Sequence, residues 1–195
     1  MARTTAGMVA MVAIMTACAA NSSDAAADSE PVVVLHVTND AHVSRGDLTE
    51  AQQQASRVYE AAGVRTIWTD GAAQTAQPDG AFHIDVVLVP YDKTAGNPHG
   101  KGAAKAFGKT WQPTRRAYVF YNPIFDHAMR TGSNVARLLA AVIAHEVGHI
   151  LLPAGSHSPS GIMRANWFGC MLSVPGFTVD QGMTMRRLVT ATTAQ

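Results

Sequence analysis

Residues 133–163 of the chain have the sequence SNVARLLAAVIAHEVGHILLPAGSHSPSGIM. Apolar side chains recur every three or four positions as far as Leu152, which is typical of a helix packed against a core. Ser133 or Asn134 stands where a helix N-cap is expected, and Pro153 ends the pattern. The stretch therefore predicts one long helix followed by a turn-rich loop.

The predicted helix contains an H-E-x-x-H pattern. His145 and His149 are four positions apart, and Glu146 directly follows the first histidine. Because a helix advances about 100° per residue, both imidazoles project from one face and can bind one metal ion. Glu146 can then reach a metal-bound water without ligating the ion. The pattern indicates a zinc site with a general base, and a pair of core histidines without metal is the alternative.

A catalytic zinc ion usually keeps three protein ligands and one open position. Glu146 is the last glutamate of the chain, so a downstream glutamate ligand is excluded. The remaining candidates for the third ligand are His157 and Asp180. His157 is favoured because it follows the break at residues 153–155, where the chain can turn back towards the helix. Five further histidines are scattered over predicted strands and loops and are interpreted as solvated or core residues: His36, His42, His83, His99 and His127.

These residues resemble the metzincin metallopeptidases, most closely the matrixin-like and the small archaeal or bacterial members. The segments H-E-x-G-H and S-H-S-P-x-G-I-M are also similar to those of a group of small exported bacterial peptidases. The resemblance implies that His145, His149 and His157 bind one catalytic Zn²⁺ and that Glu146 is the catalytic residue. It also implies that Met163 forms a hydrophobic floor under the metal and is not a ligand.

The resemblance covers roughly residues 32–167, although only residues 145–163 carry specific motifs. His157 comes two positions later than the third ligand of the family pattern. Either the turn contains a two-residue insertion with Gly155 as the displaced glycine, or another residue is the third ligand. The implied fold is an α+β, metzincin-like single domain with a mixed twisted sheet, an active-site helix and a reduced C-terminal subdomain.

Short β-branched runs upstream of this helix predict a sheet. An amphipathic helix ending at Ala62 is predicted after the first of these strands, and another helix is expected over residues 178–190. An exposed loop over residues 91–116 contains a short edge strand at residues 105–111. The other predicted strands cover residues 31–37, 64–69, 82–89 and 117–121.

Composition fits one globular domain, with 47% hydrophobic and 15% charged residues in a chain of 195. The 15 Lys and Arg nearly cancel the 14 Asp and Glu, so no basic field is available to bind nucleic acid. The two cysteines, Cys18 and Cys170, exclude zinc on a cysteine cluster. A monomer is expected.

The N-terminus has the features of an export signal. Arg3 precedes an uncharged stretch of roughly fourteen residues, which is too short for a membrane span of about 20. We expect a signal peptide over residues 1–20, a tether over residues 21–30 and a metallopeptidase domain over residues 31–195. Cleavage by ordinary signal peptidase and lipidation of Cys18 are alternatives, since the residues before Cys18 resemble a lipobox. The protein is then secreted, periplasmic, or a cell-envelope lipoprotein attached to the membrane only through Cys18.

The sequence thus predicts zinc-dependent hydrolysis of peptide bonds in a peptide or protein substrate, with Glu146 as general base on a zinc-bound water. The substrate is expected to pair as an added strand with residues 105–111. An envelope lipoprotein that binds a partner and holds a non-catalytic zinc ion is an alternative from a different class. A zinc hydrolase of a non-protein amide is a third hypothesis.

Overall fold

The computed structural model describes residues 30–70, 80–91, 106–166 and 172–193. The predicted signal peptide, including Cys18, and the predicted tether apart from Glu30 lie outside these residues, and so do Cys170 and His99. In the described part of the chain, no helix is long and apolar enough to cross a membrane. The elements in chain order are β1 (Val32–Asn39), α1 (Arg45–Ala61), β2 (Arg65–Asp70), β3 (Phe82–Val89), β4 (Gly108–Trp111), a single 3₁₀ turn (Gln112–Thr114), β5 (Arg116–Phe120), α2 (Tyr121–Thr131), α3 (Val135–Leu151) and α4 (Val179–Thr193).

Five strands form one mixed sheet in the order β2-β1-β3-β5-β4. Strand β1 is parallel to both β2 and β3, and β3 is parallel to β5. Strand β4 is antiparallel to β5 and forms one edge of the sheet. A mixed sheet with helices fits the predicted α+β class.

Helices α1 and α3 cover one face of the sheet. Alternate residues of a strand point to the same side, and the apolar ones on this side pack against the two helices. Helix α3 is almost entirely buried, which explains its long apolar run. A buried hydrogen bond joins the two helices, since the Tyr59 hydroxyl donates to the Ala144 carbonyl at 2.8 Å. The sheet face, α1 and α3 contribute most of the core, for example Val33, Leu35, Ile84, Val86, Val119, Ala55, Leu139 and Ile143.

The sequence prediction missed one helix. The strand predicted over residues 117–121 ends at Phe120, and α2 begins at Tyr121 and continues through Asn122 and Pro123 to Thr131. Pro123 is tolerated there because the first-turn N–H groups of a helix have no intrahelical partner to lose. The predicted helix near the C-terminus is present, as Val179–Thr193, and the edge strand is confined to Gly108–Trp111 within the described residues.

Candidate metal centre

Helix α3 positions the two histidines of the H-E-x-x-H pattern. Its N-terminus is capped by Asn134, whose side chain accepts a hydrogen bond from the Arg137 amide at 2.7 Å. One helical turn separates His145 from His149, and their Nε2 atoms are 3.0 Å apart. Their ring planes are nearly perpendicular, at 89°, with centroids 4.6 Å apart. The helix alone therefore brings two ligating nitrogens to one place.

The loop after α3 brings a third histidine to the pair. Gly155 adopts a φ of +77°, a left-handed conformation in which glycine is free of the strain that a β-carbon adds. The His157 ring lies 5.3 Å from the His145 ring and 4.8 Å from the His149 ring, measured between centroids.

One nitrogen from each of these three histidines lies within 4.8 Å of the other two. Among the described residues, no other group of three or more His, Cys, Asp or Glu side chains is close enough to share an ion. Asp180, the alternative third ligand, is exposed in the first turn of α4 and does not belong to the group. The structure thus brings together the predicted set His145, His149 and His157.

The protonation states of His145 and His149 favour the binding of a metal cation. The Nδ1 atom of His145 lies 2.9 Å from the Ile162 carbonyl, which can only accept, so Nδ1 carries the proton and Nε2 keeps its lone pair. Burial, followed by the nearby His145 and His157, lowers the pKa of His149 to about 4. Burial also lowers the pKa of His145. Neutral imidazoles are the form that binds metal, and three histidines are a ligand set that zinc accepts.

A second close pair of histidines has a different geometry. His36 Nε2 and His83 Nδ1 are 2.9 Å apart, but the two rings are nearly coplanar, at 10°, with centroids 5.2 Å apart. The nitrogens therefore point directly at each other, as in a hydrogen bond between imidazoles. The other nitrogen of His36 pairs with the Thr69 hydroxyl at 2.8 Å. His36 and His83 thus form a hydrogen-bonded pair, and the expectation that they are not ligands stays a prediction.

Glu146 is buried beside the three histidines, with 7% of its surface exposed. The Thr110 hydroxyl on β4 lies 2.7 Å from Glu146 Oε2 and 2.8 Å from the Glu146 backbone carbonyl. Burial raises the pKa of Glu146 to about 7, although the hydrogen bond from Thr110 opposes the rise. A carboxyl group with a pKa near neutrality can both accept and return a proton at physiological pH.

Strand β4 lies unusually close to the glutamate. A β-carbon built on Gly108 would be 2.5 Å from Glu146 Cγ, so only glycine leaves room for the side chain there. Two positions along the strand, Thr110 contacts the same glutamate, and Gln112 donates hydrogen bonds to the carbonyls of His149 and Leu152. Every second residue from 108 to 112 therefore contacts α3 or its C-terminus.

A cleft of about 750 Å³ opens between β4 and the loop after α3. Its wall includes β4, the side of α3 that carries His145, Glu146 and His149, and residues 154, 155, 157 and 164–166. Met163 is fully buried below this site. Its sulfur would lie 2.7 Å from a β-carbon built on Gly148, so Met163 packs against the helical turn between the two histidines.

Sequence reasoning missed the residues that support the site from elsewhere in the chain. Gly108, Thr110 and Gln112 precede the α3 residues that they contact by more than thirty positions, and no local pattern connects them to the histidines. The carbonyl of Ile162 likewise has no signature in the sequence, because every residue has one.

No known protein family matches the chain, and no curated protein is similar to it in sequence. Among solved structures, the chain is similar to a zinc-dependent peptidase from Methanocorpusculum labreanum (strain Z). That similarity has a TM-score of 0.45 and 13% sequence identity, and covers 80% of this chain and 99% of the other. A likeness at this level does not by itself assign an activity to this protein.

Proposed function

We propose that this protein is a zinc-dependent peptidase of the metzincin type, with one Zn²⁺ held by His145, His149 and His157 and with Glu146 as the general base. The observation that carries the proposal is the convergence of three imidazoles beside a buried carboxyl group at the wall of a cleft. A zinc ion bound there supplies a Lewis acid that acidifies water and polarises a carbonyl group.

Glu146 moves the proton in this proposal. Its Oε2 atom accepts the Thr110 hydrogen bond at 2.7 Å, which leaves Oε1 to take a proton from the attacking water. The same oxygen then donates the proton to the leaving amine, as a pKa near 7 allows.

The substrate is proposed to be a peptide or protein that binds as an added strand along β4. Strand β4 pairs with β5 through one edge, and among the described residues no strand pairs with its other edge. A free edge offers backbone N–H and C=O groups to an extended peptide, and β4 borders the cleft that contains Glu146. Strand pairing would thus deliver a peptide carbonyl to the histidines.

The cellular location and the oligomeric state of the protein are also proposals. The N-terminal pattern supports export, followed by secretion, periplasmic residence or attachment through a lipid on Cys18. We propose that the protein works as a monomer, because the three histidines and Glu146 all come from one chain.

The test measures zinc stoichiometry and cleavage of a mixed peptide library for the purified wild type and for Glu146→Gln. Glu60→Gln is the matched control, because it makes the same change at an exposed position of α1. We expect one zinc ion per chain in all three proteins and cleavage in the wild type and the control only.

A wild type that binds no zinc would contradict the whole proposal. If the wild type binds zinc but cleaves no peptide, the peptidase proposal is wrong. The protein is then a binding module with a non-catalytic zinc ion or a hydrolase of a non-protein amide. Full activity of Glu146→Gln would be consistent with the proposed zinc site but would show that Glu146 is not the general base.

A further inference from the structure

The third histidine is the least supported member of the site. His157 is exposed, whereas His145 and His149 are half-buried on a helix. Within the described residues, its imidazole makes ring contacts with the other two histidines and no hydrogen bond. Its position therefore depends on the backbone that carries it, which is a loop without helical or sheet hydrogen bonds.

A single side chain from α4 contacts this loop on both sides of His157. The Gln181 Nε2 atom lies 3.4 Å from the Ser156 carbonyl and 3.3 Å from the Ser158 hydroxyl. A carboxamide nitrogen has two hydrogens, so it can donate to both acceptors at once. The two acceptors belong to the residues immediately before and after His157.

The other end of the Gln181 side chain is held by its own helix. Its Oε1 atom accepts a hydrogen bond from the Thr178 amide at 3.0 Å, while the Gln181 amide donates to the Thr178 hydroxyl at 3.3 Å. This reciprocal pair is a capping box at the start of α4. The cap orients the carboxamide, and its nitrogen is left to face the loop.

Helix α4 is in turn anchored to the rest of the fold. Met185 and Val189 are fully buried in the core. Arg186 donates to the Ala62 carbonyl at the C-terminal end of α1 at 2.6 Å, where a cation also complements the helix dipole. The anchored helix gives Gln181 a fixed position from which to hold a loop that has few contacts of its own.

The far end of the loop is tied to the helical histidines. Ser158 donates its amide to the Met163 carbonyl at 2.9 Å, and the neighbouring Ile162 carbonyl accepts from His145. The Ile162 amide donates to the Gly176 carbonyl at 2.9 Å, two residues before α4 is capped. The C-terminal segment thus supports both ends of the loop that carries His157.

We propose that Gln181 is a positioning residue for the third metal ligand, which holds the backbone on both sides of His157 so that its imidazole stays beside His145 and His149. This inference rests on the proposed zinc site. Loss of a partner outside the ligand shell typically weakens metal binding by about 10- to 100-fold. We expect Gln181→Met to raise the zinc dissociation constant by about 10-fold, since the ligands themselves remain.

The experiment compares zinc dissociation constants, measured by competition with a chromophoric chelator, for the wild type, Gln181→Met and Thr178→Ala. Both variants lose one half of the capping box, but Thr178→Ala keeps the carboxamide that faces the loop. We expect weaker zinc binding in Gln181→Met and nearly unchanged binding in Thr178→Ala. With Co²⁺ in place of zinc, the visible spectrum should change in Gln181→Met alone, because the ligand geometry around the ion changes.

Two outcomes overturn the inference in distinguishable ways. If the wild type binds zinc and Gln181→Met binds it equally well, Gln181 does not position His157 and the proposed function is unaffected. If the wild type binds no zinc, the proposed function fails and the role of Gln181 fails with it. Should Gln181→Met not fold, Ser158→Ala removes one acceptor without changing α4, and it should raise the dissociation constant by a smaller factor.

Discussion

The candidate metal centre consists of a helix half and a loop half that are positioned by different means. The helix half contains His145, Glu146 and His149, whose relative positions follow from one turn of a buried helix. The loop half is residues 153–163, where His157 is exposed and depends on contacts with α4. Hydrogen bonds within α3 order the helix half before a metal ion binds. The loop half must be ordered by residues that are distant in sequence. The two halves should therefore respond differently to mutation and to metal.

Removal of a ligand from either half gives the largest expected effect. His145→Ala leaves one helical ligand and one loop ligand, and the loop must lose conformational entropy to complete the site. We expect this variant to lose stoichiometric zinc at micromolar concentrations. His157→Ala keeps the two-histidine pair on α3, so its zinc binding should weaken by more than about 100-fold but remain measurable. Competition with a chelator measures the zinc dissociation constants of both variants. Equal losses of zinc affinity would show that the helix half and the loop half contribute equally to zinc binding.

Zinc removal should affect the two halves unequally. Zinc at about 1000 times its dissociation constant stabilises a folded protein by about 4 kcal/mol, and a chelator reverses this. Amide hydrogen exchange after chelation should rise in residues 154–163 and stay slow in α3, whose amides are bonded within a buried helix. Faster exchange throughout α3 would mean that the metal also orders the helix half.

The change Gly108→Ala tests the contact between β4 and the helix half. The added β-carbon would lie 2.5 Å from Glu146 Cγ and 2.7 Å from its Oε1, so the carboxyl group must move. A misplacement of about 1 Å can lower turnover by about 100-fold. We expect this loss in peptide cleavage with zinc binding retained. Gly46→Ala in α1, whose β-carbon would meet only Ser44 Oγ at 3.9 Å, is the matched control and should cleave normally.

The change Gly148→Ala tests the packing of the two halves against each other. The new β-carbon would lie 2.7 Å from Met163 Sδ and 3.0 Å from Phe177 Cε1. Overpacking of this kind costs about 1–3 kcal/mol, and the better helix propensity of alanine returns about 1 kcal/mol. We expect urea denaturation to show a net loss of up to about 2 kcal/mol in the free energy of unfolding. A gain of about 1 kcal/mol would mean that Met163 moves aside without cost, because only the helix propensity of alanine would then contribute.

The smallest effect is expected from Tyr59→Phe. This change removes the hydroxyl that donates to the Ala144 carbonyl, one residue before His145. The carbonyl keeps its acceptor role within α3, so the free energy of unfolding should fall by about 1 kcal/mol. The zinc dissociation constant should stay the same, because the helix itself positions its ligands. A weaker zinc site in Tyr59→Phe would mean that the helix half also depends on distant contacts.

Much of the fold follows from local patterns. Periodicity and capping signals predicted α3 within one or two residues of its observed bounds, and β-branched runs predicted the main strands. Helix α2 was missed because Asn122 and Pro123 have the composition of a turn, although both are tolerated in the first turn of a helix. The export signal and the lipid on Cys18 stay predictions, since they fall outside the described residues.

The residues of the candidate site likewise divide into those that local spacing predicts and those whose positions depend on the complete fold. The spacing of His145 and His149 was sufficient to predict one shared metal position, because helical geometry depends on residues four apart. The choice of His157 over Asp180 remained open in the sequence, since the path of a loop depends on partners far along the chain. Only the folded chain brings the Gly155 turn, Ile162 and Gln181 together around that histidine.

Residue types and short-range spacing therefore specify the chemistry available to this protein: three imidazoles, one carboxyl group and the helix that holds most of them. Tertiary structure decides how that chemistry is arranged. The burial that raises the pKa of Glu146 and its contacts with Gly108 and Thr110 on β4 come from an edge strand more than thirty residues away. Helical hydrogen bonds join neighbours in sequence, whereas strand pairing and loop anchoring join residues that only the complete fold brings into contact.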